Sequence, residues 1–246
     1  MVKASRWLLR IPSGDSDGRI FCFPYSGVGA SMFNRWPRWI GRFEVCPVQL
    51  PGRENRIREA HPRTHQELAE VLTGELLPFL DRPFVFFGHC AGALPAFEVA
   101  RRLDGRNLPE PRRLVVSAQV APHHCPHDRF LDCTDDELVD ELKRLTVERG
   151  GEPHPALLAL SLAVLRKDLD ANRVYRLAEP VPIPMDITVL HWSGDPEVTR
   201  PELDGWSHYA PAVRFTVLDG GHYDFLTAPD ALLDLLSGQL AEGAAR

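Results

Sequence analysis

Phe84-Val85-Phe86-Phe87-Gly88-His89-Cys90-Ala91-Gly92-Ala93-Leu94-Pro95-Ala96-Phe97-Glu98-Val99-Ala100-Arg101-Arg102-Leu103 changes character at its centre. Residues 84–88 are an apolar run with the aromatic and β-branched content of a strand. Residues 91–103 carry apolar positions at helical spacing. Between them Gly88-His89-Cys90-Ala91-Gly92 has the G-x-S-x-G spacing of a nucleophile elbow, with cysteine in the serine's place. Such a strained strand-to-helix turn needs small neighbours if the nucleophile is to stand clear of the backbone. It also sets Cys90 at a helix N-terminus, where the dipole is expected to favour thiolate and rapid alkylation at neutral pH.

The same kind of apolar run recurs at 19–24, 43–50, 114–118, 187–191 and 213–218. Most are apolar throughout rather than alternating, as strands buried on both faces of a parallel sheet are. Helical patterns lie between them at 64–80, 91–103 and 229–240. Thr64 with Glu67 predicts a capping box, and Pro229 suits a first helical turn. Alternation of this kind implies right-handed crossovers and a mostly parallel, doubly wound α/β sheet. From about residue 126 to 182 the rhythm breaks into helical text alone. Those helices are expected to cap the C-terminal edge of the sheet, within a single domain spanning 1–246.

An elbow nucleophile requires an acid and then a histidine further along the chain. Asp195 follows the run 187–191 in Ser193-Gly194-Asp195-Pro196, and His222 follows 213–218 in Gly220-Gly221-His222. The expected roles are attack by Cys90, proton transfer by His222, and orientation of the imidazole by Asp195. Asp219 and Asp224 are rival acids, but they lie very near His222 along the chain. The backbone N–H of Ala91 and the loop Phe23-Pro24-Tyr25-Ser26-Gly27, with Ser26 as its donor, are the expected oxyanion hole.

Other patterns carry less. Gly27-x-Gly29 has Met32 at the third glycine position of a dinucleotide fingerprint, and no acidic residue ends the next strand. His123-His124-Cys125-Pro126-His127 crowds metal-ligand types together with no second cluster at zinc-like spacing. No metal and no cofactor is expected. Seven arginines between 35 and 63 would form either a solvated surface or a dock for an acidic partner, and 128–152 is acidic in the manner of a solvated helix face.

Composition sets the frame for these motifs. Of the 246 residues, 44% are hydrophobic and 25% charged, as in a globular protein with its own core. A net charge of −6 argues against nucleic-acid binding. No apolar run reaches the ~18–20 residues of a membrane span. Trp7-Leu8-Leu9 is too short for a signal-peptide core. Five cysteines, an odd number, suit free thiols in the cytoplasm.

The chain resembles the type II thioesterases of polyketide and nonribosomal peptide pathways. The resemblance runs from about Arg19 to Leu240 through FPYSGVGA, VQLPGRENR, GHCAGA, DDELVDELKRL, SGDPEV and GGHYDFL. It implies an α/β-hydrolase fold with a helical cap and a monomeric enzyme. Its substrate would be an acyl group on the phosphopantetheine arm of an acyl or peptidyl carrier protein. By motif position it carries Cys90, Asp195 and His222 as the triad and Ser26 and Ala91 as oxyanion donors. The departure is Cys90, where the family normally has serine. Cysteine occurs in related enzymes that shuttle aminoacyl groups between carriers, so transfer stands beside hydrolysis as an expected outcome. A catalytically dead carrier-binding module is the third.

Overall fold

In the computed structural model, which describes residues 5–148 and 150–241, seven strands form one sheet. They are β1 (Gly18–Phe23), β2 (Trp39–Ile40), β3 (Phe43–Pro47), β4 (Phe84–His89), β5 (Arg113–Ser117), β6 (Asp186–Trp192) and β7 (Val213–Leu218). Their order across the sheet is β2-β3-β1-β4-β5-β6-β7. All pairings are parallel except β2 with β3. The two-residue β2 is too short to leave a sequence pattern.

The apolar runs are continuous because each strand serves two cores. Phe21, Phe23, Phe84 and Phe86 face one side, where α1 (His65–Leu76) and α2 (Ala93–Asp104) cover them with Leu72, Leu76, Leu94 and Phe97. Ile20, Cys22, Val85 and Phe87 face the other, under α5 (Asp230–Ala241), Phe33 and Trp36. Full burial of each such side chain is worth roughly 1.5–3 kcal/mol, so both layers contribute to stability. The edge strand β7 is the exception: it alternates and leaves Val217 exposed.

Helix α1 starts as the sequence suggests, with Thr64 Oγ1 accepting from Glu67 N–H at 3.0 Å. The reciprocal half of the box shifts by one residue, since Glu67 reaches the N–H of Arg63 at 2.9 Å. Pro229 sits just ahead of α5, its carbonyl accepting from Leu232 and Leu233.

Between β5 and β6 lie α3 (Asp135–Glu148) and α4 (Pro155–Val174). They share a small core of their own around Leu138, Leu165 and Leu169. The inner face of α4 is polar and is tied to the loop after β1. Asp168 accepts from the Gly27 N–H at 2.7 Å, and Asn172 donates to Ser26 Oγ at 3.0 Å. Asp168 also takes a bidentate pair from Arg53, both bonds 2.8 Å, with His61 Nε2 2.9 Å away. Arg53 is thus a buried strut, and Arg56 is buried between Glu59 and the face of Trp7. These two arginines belong neither to a solvated surface nor to a free dock.

Candidate active site

The strand order reverses direction between β1 and β4, and ligands of open α/β sheets bind at the carboxyl ends beside such a switch point. The loop after β1 holds Ser26, and the turn after β4 holds Cys90. Cys90 has φ +50°, in the left-handed region that a side chain occupies only under constraint. The flanking glycines explain how the turn is accommodated. A Cβ on Gly88 would stand 2.5 Å from the Ala93 Cα, and one on Gly92 would stand 2.6 Å from the Phe23 carbonyl oxygen. The elbow therefore packs backbone against backbone, and Cys90 stays partly accessible.

The loops after β6 and β7 bring Asp195 and His222 together, with Nδ1 2.9 Å from Asp195 Oδ2. The rivals are occupied elsewhere. Asp219 accepts from Ser193 Oγ and Asp224 from the Gly221 N–H. Burial pushes the Asp195 carboxyl up, but the bond to His222 and the N–H groups of Glu197 and Val198 hold it below its usual value. Asp195 is thus an anion that fixes the imidazole with Nε2 free to face the thiol. That Nε2 is buried and makes no hydrogen bond among the described residues.

Further side chains complete the site, none of them picked out from the sequence as site residues. Glu197 Oε2 lies 3.4 Å from His222 Nε2, while its Oε1 is gripped by Arg129 Nε at 2.8 Å. Asp128 is held by Asn172 Nδ2 at 2.9 Å, and Asn172 Oδ1 accepts from His65 Nε2 at 2.9 Å. His89 braces the imidazole: its ring is 4.6 Å from that of His222 and stacks on Phe225 at 3.9 Å. Ser117 Oγ accepts from Trp192 Nε1 at 2.9 Å and is hydrogen-bonded to His89 Nδ1, also 2.9 Å away. Burial keeps His89 neutral.

The carboxylates reverse one expectation. Although the residue is only partly buried, desolvation of its sulfur raises the Cys90 thiol above its ordinary pKa, and Asp128, Glu197 and Asp195 raise it further against the opposing Ala91 N–H. One helix terminus does not outweigh desolvation plus three nearby anions. Cys90 therefore rests as a thiol. Its alkylation by iodoacetamide at neutral pH should be slower than that of free cysteine, not faster. Removing a charge by Glu197→Gln or Asp128→Asn should lower the thiol pKa and accelerate labelling. Peptide mapping across a pH series measures both, and faster labelling of Cys90 than of free cysteine would refute the assignment.

The comparisons agree with this architecture. The thioesterase-domain family model matches residues 18–240. Linear gramicidin dehydrogenase LgrE of Brevibacillus parabrevis is 31% identical over 97% of this chain and 94% of its own. The probable cadicidin biosynthesis thioesterase of Streptomyces griseus is 34% identical over 97% of this chain and 66% of its own. Among solved structures, RedJ, a thioesterase of the prodiginine pathway in Streptomyces coelicolor, superposes with a TM-score of 0.80. It is 33% identical over 92% of this chain and 91% of its own. Gly27-Val28-Gly29 leads into a four-residue 3-10 turn and lacks the third glycine of a dinucleotide cradle. With the elbow, the strand order and a family match over most of its length, the chain belongs to the thioesterase-domain family, thioester hydrolases built on the α/β-hydrolase fold.

Proposed function

We propose that the protein removes acyl or aminoacyl groups from the phosphopantetheine arm of an acyl or peptidyl carrier protein through a Cys90 acyl-enzyme. The pathways concerned are polyketide and nonribosomal peptide synthesis, and the protein acts as a cytoplasmic monomer. The observation that carries the reading is the line from Cys90 through His222 to Asp195 at the switch point of the sheet. His222 Nε2 takes the thiol proton as Sγ attacks the thioester carbonyl. The oxyanion is met by the Ala91 N–H and the Ser26 end of the β1 loop. Collapse expels the pantetheine thiol, which recovers the proton from the imidazolium, and water then repeats the sequence on the acyl-enzyme.

Next to the proposed oxyanion residue Ser26, a cleft of about 110 Å³ opens between Tyr25, Tyr223 and the cap residues Phe130, Leu142, Leu145 and Leu165. Its mostly apolar lining suits a short acyl or aminoacyl chain. The sulfur nucleophile favours a second reading. A thioester acyl-enzyme keeps the group activated, so a second carrier thiol can accept it in place of water.

Intact-mass spectrometry of the enzyme with an acyl-loaded carrier, with and without an empty second carrier, tests both. Free acid is the expected product, and label on the second carrier would establish transfer. No adduct and no deacylation would leave only a binding module. Cys90→Ser refines the choice. A hydrolase should keep substantial deacylation, whereas a shuttle should trap its acyl group as an oxygen ester, because return to a thioester is uphill.

A further inference from the structure

Cys90 Sγ, a ring nitrogen of His222 and a carboxylate oxygen of Glu197 all lie within 4.8 Å of one another. Among the described residues this is the one group of three or more such side chains placed to share an ion. We infer that these three residues form an inhibitory site for Zn²⁺, with a solvent molecule as fourth ligand. Thiolate, imidazole and carboxylate are the donor types that Zn²⁺ takes in tetrahedral sites.

The spacing of two of the three ligands already suits the ion. With Zn–N and Zn–O bonds of about 2.0–2.2 Å, two ligands of a tetrahedral site stand about 3.4 Å apart. His222 Nε2 and Glu197 Oε2 are separated by 3.4 Å. Nε2 makes no hydrogen bond among the described residues, although the His222 side chain is only 3% exposed.

The outer partners are also in place. Metal-bound histidines commonly donate their other N–H to a carboxylate, and Asp195 receives it here at 2.9 Å. Arg129 holds Oε1 of Glu197 and leaves Oε2 for the ion. Binding releases the thiol proton to solvent, and nothing is oxidised or reduced. Thiolate and carboxylate together neutralise the charge of the ion. A serine at position 90 would offer a far poorer ligand, so the site arises from the same substitution that sets this chain apart. The ion occupies both nucleophile and base. Its inhibitory effect therefore rests on the proposed role of Cys90, whereas its binding does not.

Binding is read without turnover by adding Co²⁺ to the full chain and recording the thiolate-to-cobalt charge-transfer band. Competition with Zn²⁺ then gives the zinc affinity. The band should be present in the unmodified protein and lost in Cys90→Ser. Glu197→Gln should weaken affinity at least as much as the 10–100-fold that follows loss of a supporting partner. Zn²⁺ should also protect Cys90 from alkylation, with chelator restoring the reaction. Ions on the surface histidines His123, His124 and His208 would give no thiolate band. An absent band, or unchanged affinity in Glu197→Gln, would overturn the site while leaving the proposed acyl transfer chemistry intact. Bound ion with undiminished deacylation would instead overturn its inhibitory action and Cys90 as the nucleophile.

Discussion

His222→Ala is expected to lower single-turnover deacylation of a loaded carrier by about 10²–10⁴-fold at neutral pH, the usual contribution of a positioned acid–base group. The loss should be large because the thiol is held protonated by burial and by Asp128, Glu197 and Asp195, so little thiolate exists without the base. It should also have a pH signature. As pH rises toward the raised pKa of Cys90, the variant's acylation rate should climb by about tenfold per unit, since thiolate attacks without a base. Asp195→Asn should cost less than the ~10⁴-fold lost when a serine protease loses its acid, because a thiol needs less activation. Rates measured between neutral pH and about pH 9 decide the matter. Wild-type turnover in the histidine variant, or a flat pH profile, would remove His222 from the mechanism.

The largest expected effect on stability lies away from the nucleophile. Asp168→Ala strands Arg53, whose side chain is 3% exposed, and deprives the Gly27 N–H of its acceptor. Breaking one side of a buried ion pair costs about 3–5 kcal/mol. For a chain of this size that converts to a Tm lower by roughly 6–20 °C. The pH dependence has a definite sign. Burial would raise the Asp168 carboxyl, but Arg53 and His61 outweigh it and hold the folded-state pKa well below the ordinary value. Its stabilisation is complete above the unfolded pKa of ~3.9 and is lost as pH falls toward the folded value. Wild type should therefore lose more stability on acidification than Asp168→Asn. Thermal melts at neutral and acid pH test this, and a drop of less than about 3 °C for the alanine variant would mean that the pair contributes little. Because Asp168 also holds the loop carrying Ser26, the variant's acylation rate should fall at temperatures where it remains folded.

Sequence by itself determined the parallel sheet, the elbow and the order of Cys90, Asp195 and His222. Each rests on a short-range pattern: continuous apolar runs, glycines two residues either side of Cys90, and candidate acid and base in loops just past strands. Strand ends converge in a parallel sheet, so residues far apart in sequence could be placed at one edge without coordinates. The tertiary structure decided what surrounds them. Arg53 meets Asp168 across 115 positions, and Asn172 bridges Ser26, His65 and Asp128 from a helix whose sequence does not say which of its polar residues turn inward. The brace of His89, Ser117 and Trp192 joins three separate strands. The protonation of Cys90 shows the division most sharply. Its helix terminus is visible in the sequence and favours thiolate. Its burial and the approach of Asp128 and Glu197 are not visible there, and they prevail because desolvation and charge depend on distance in space.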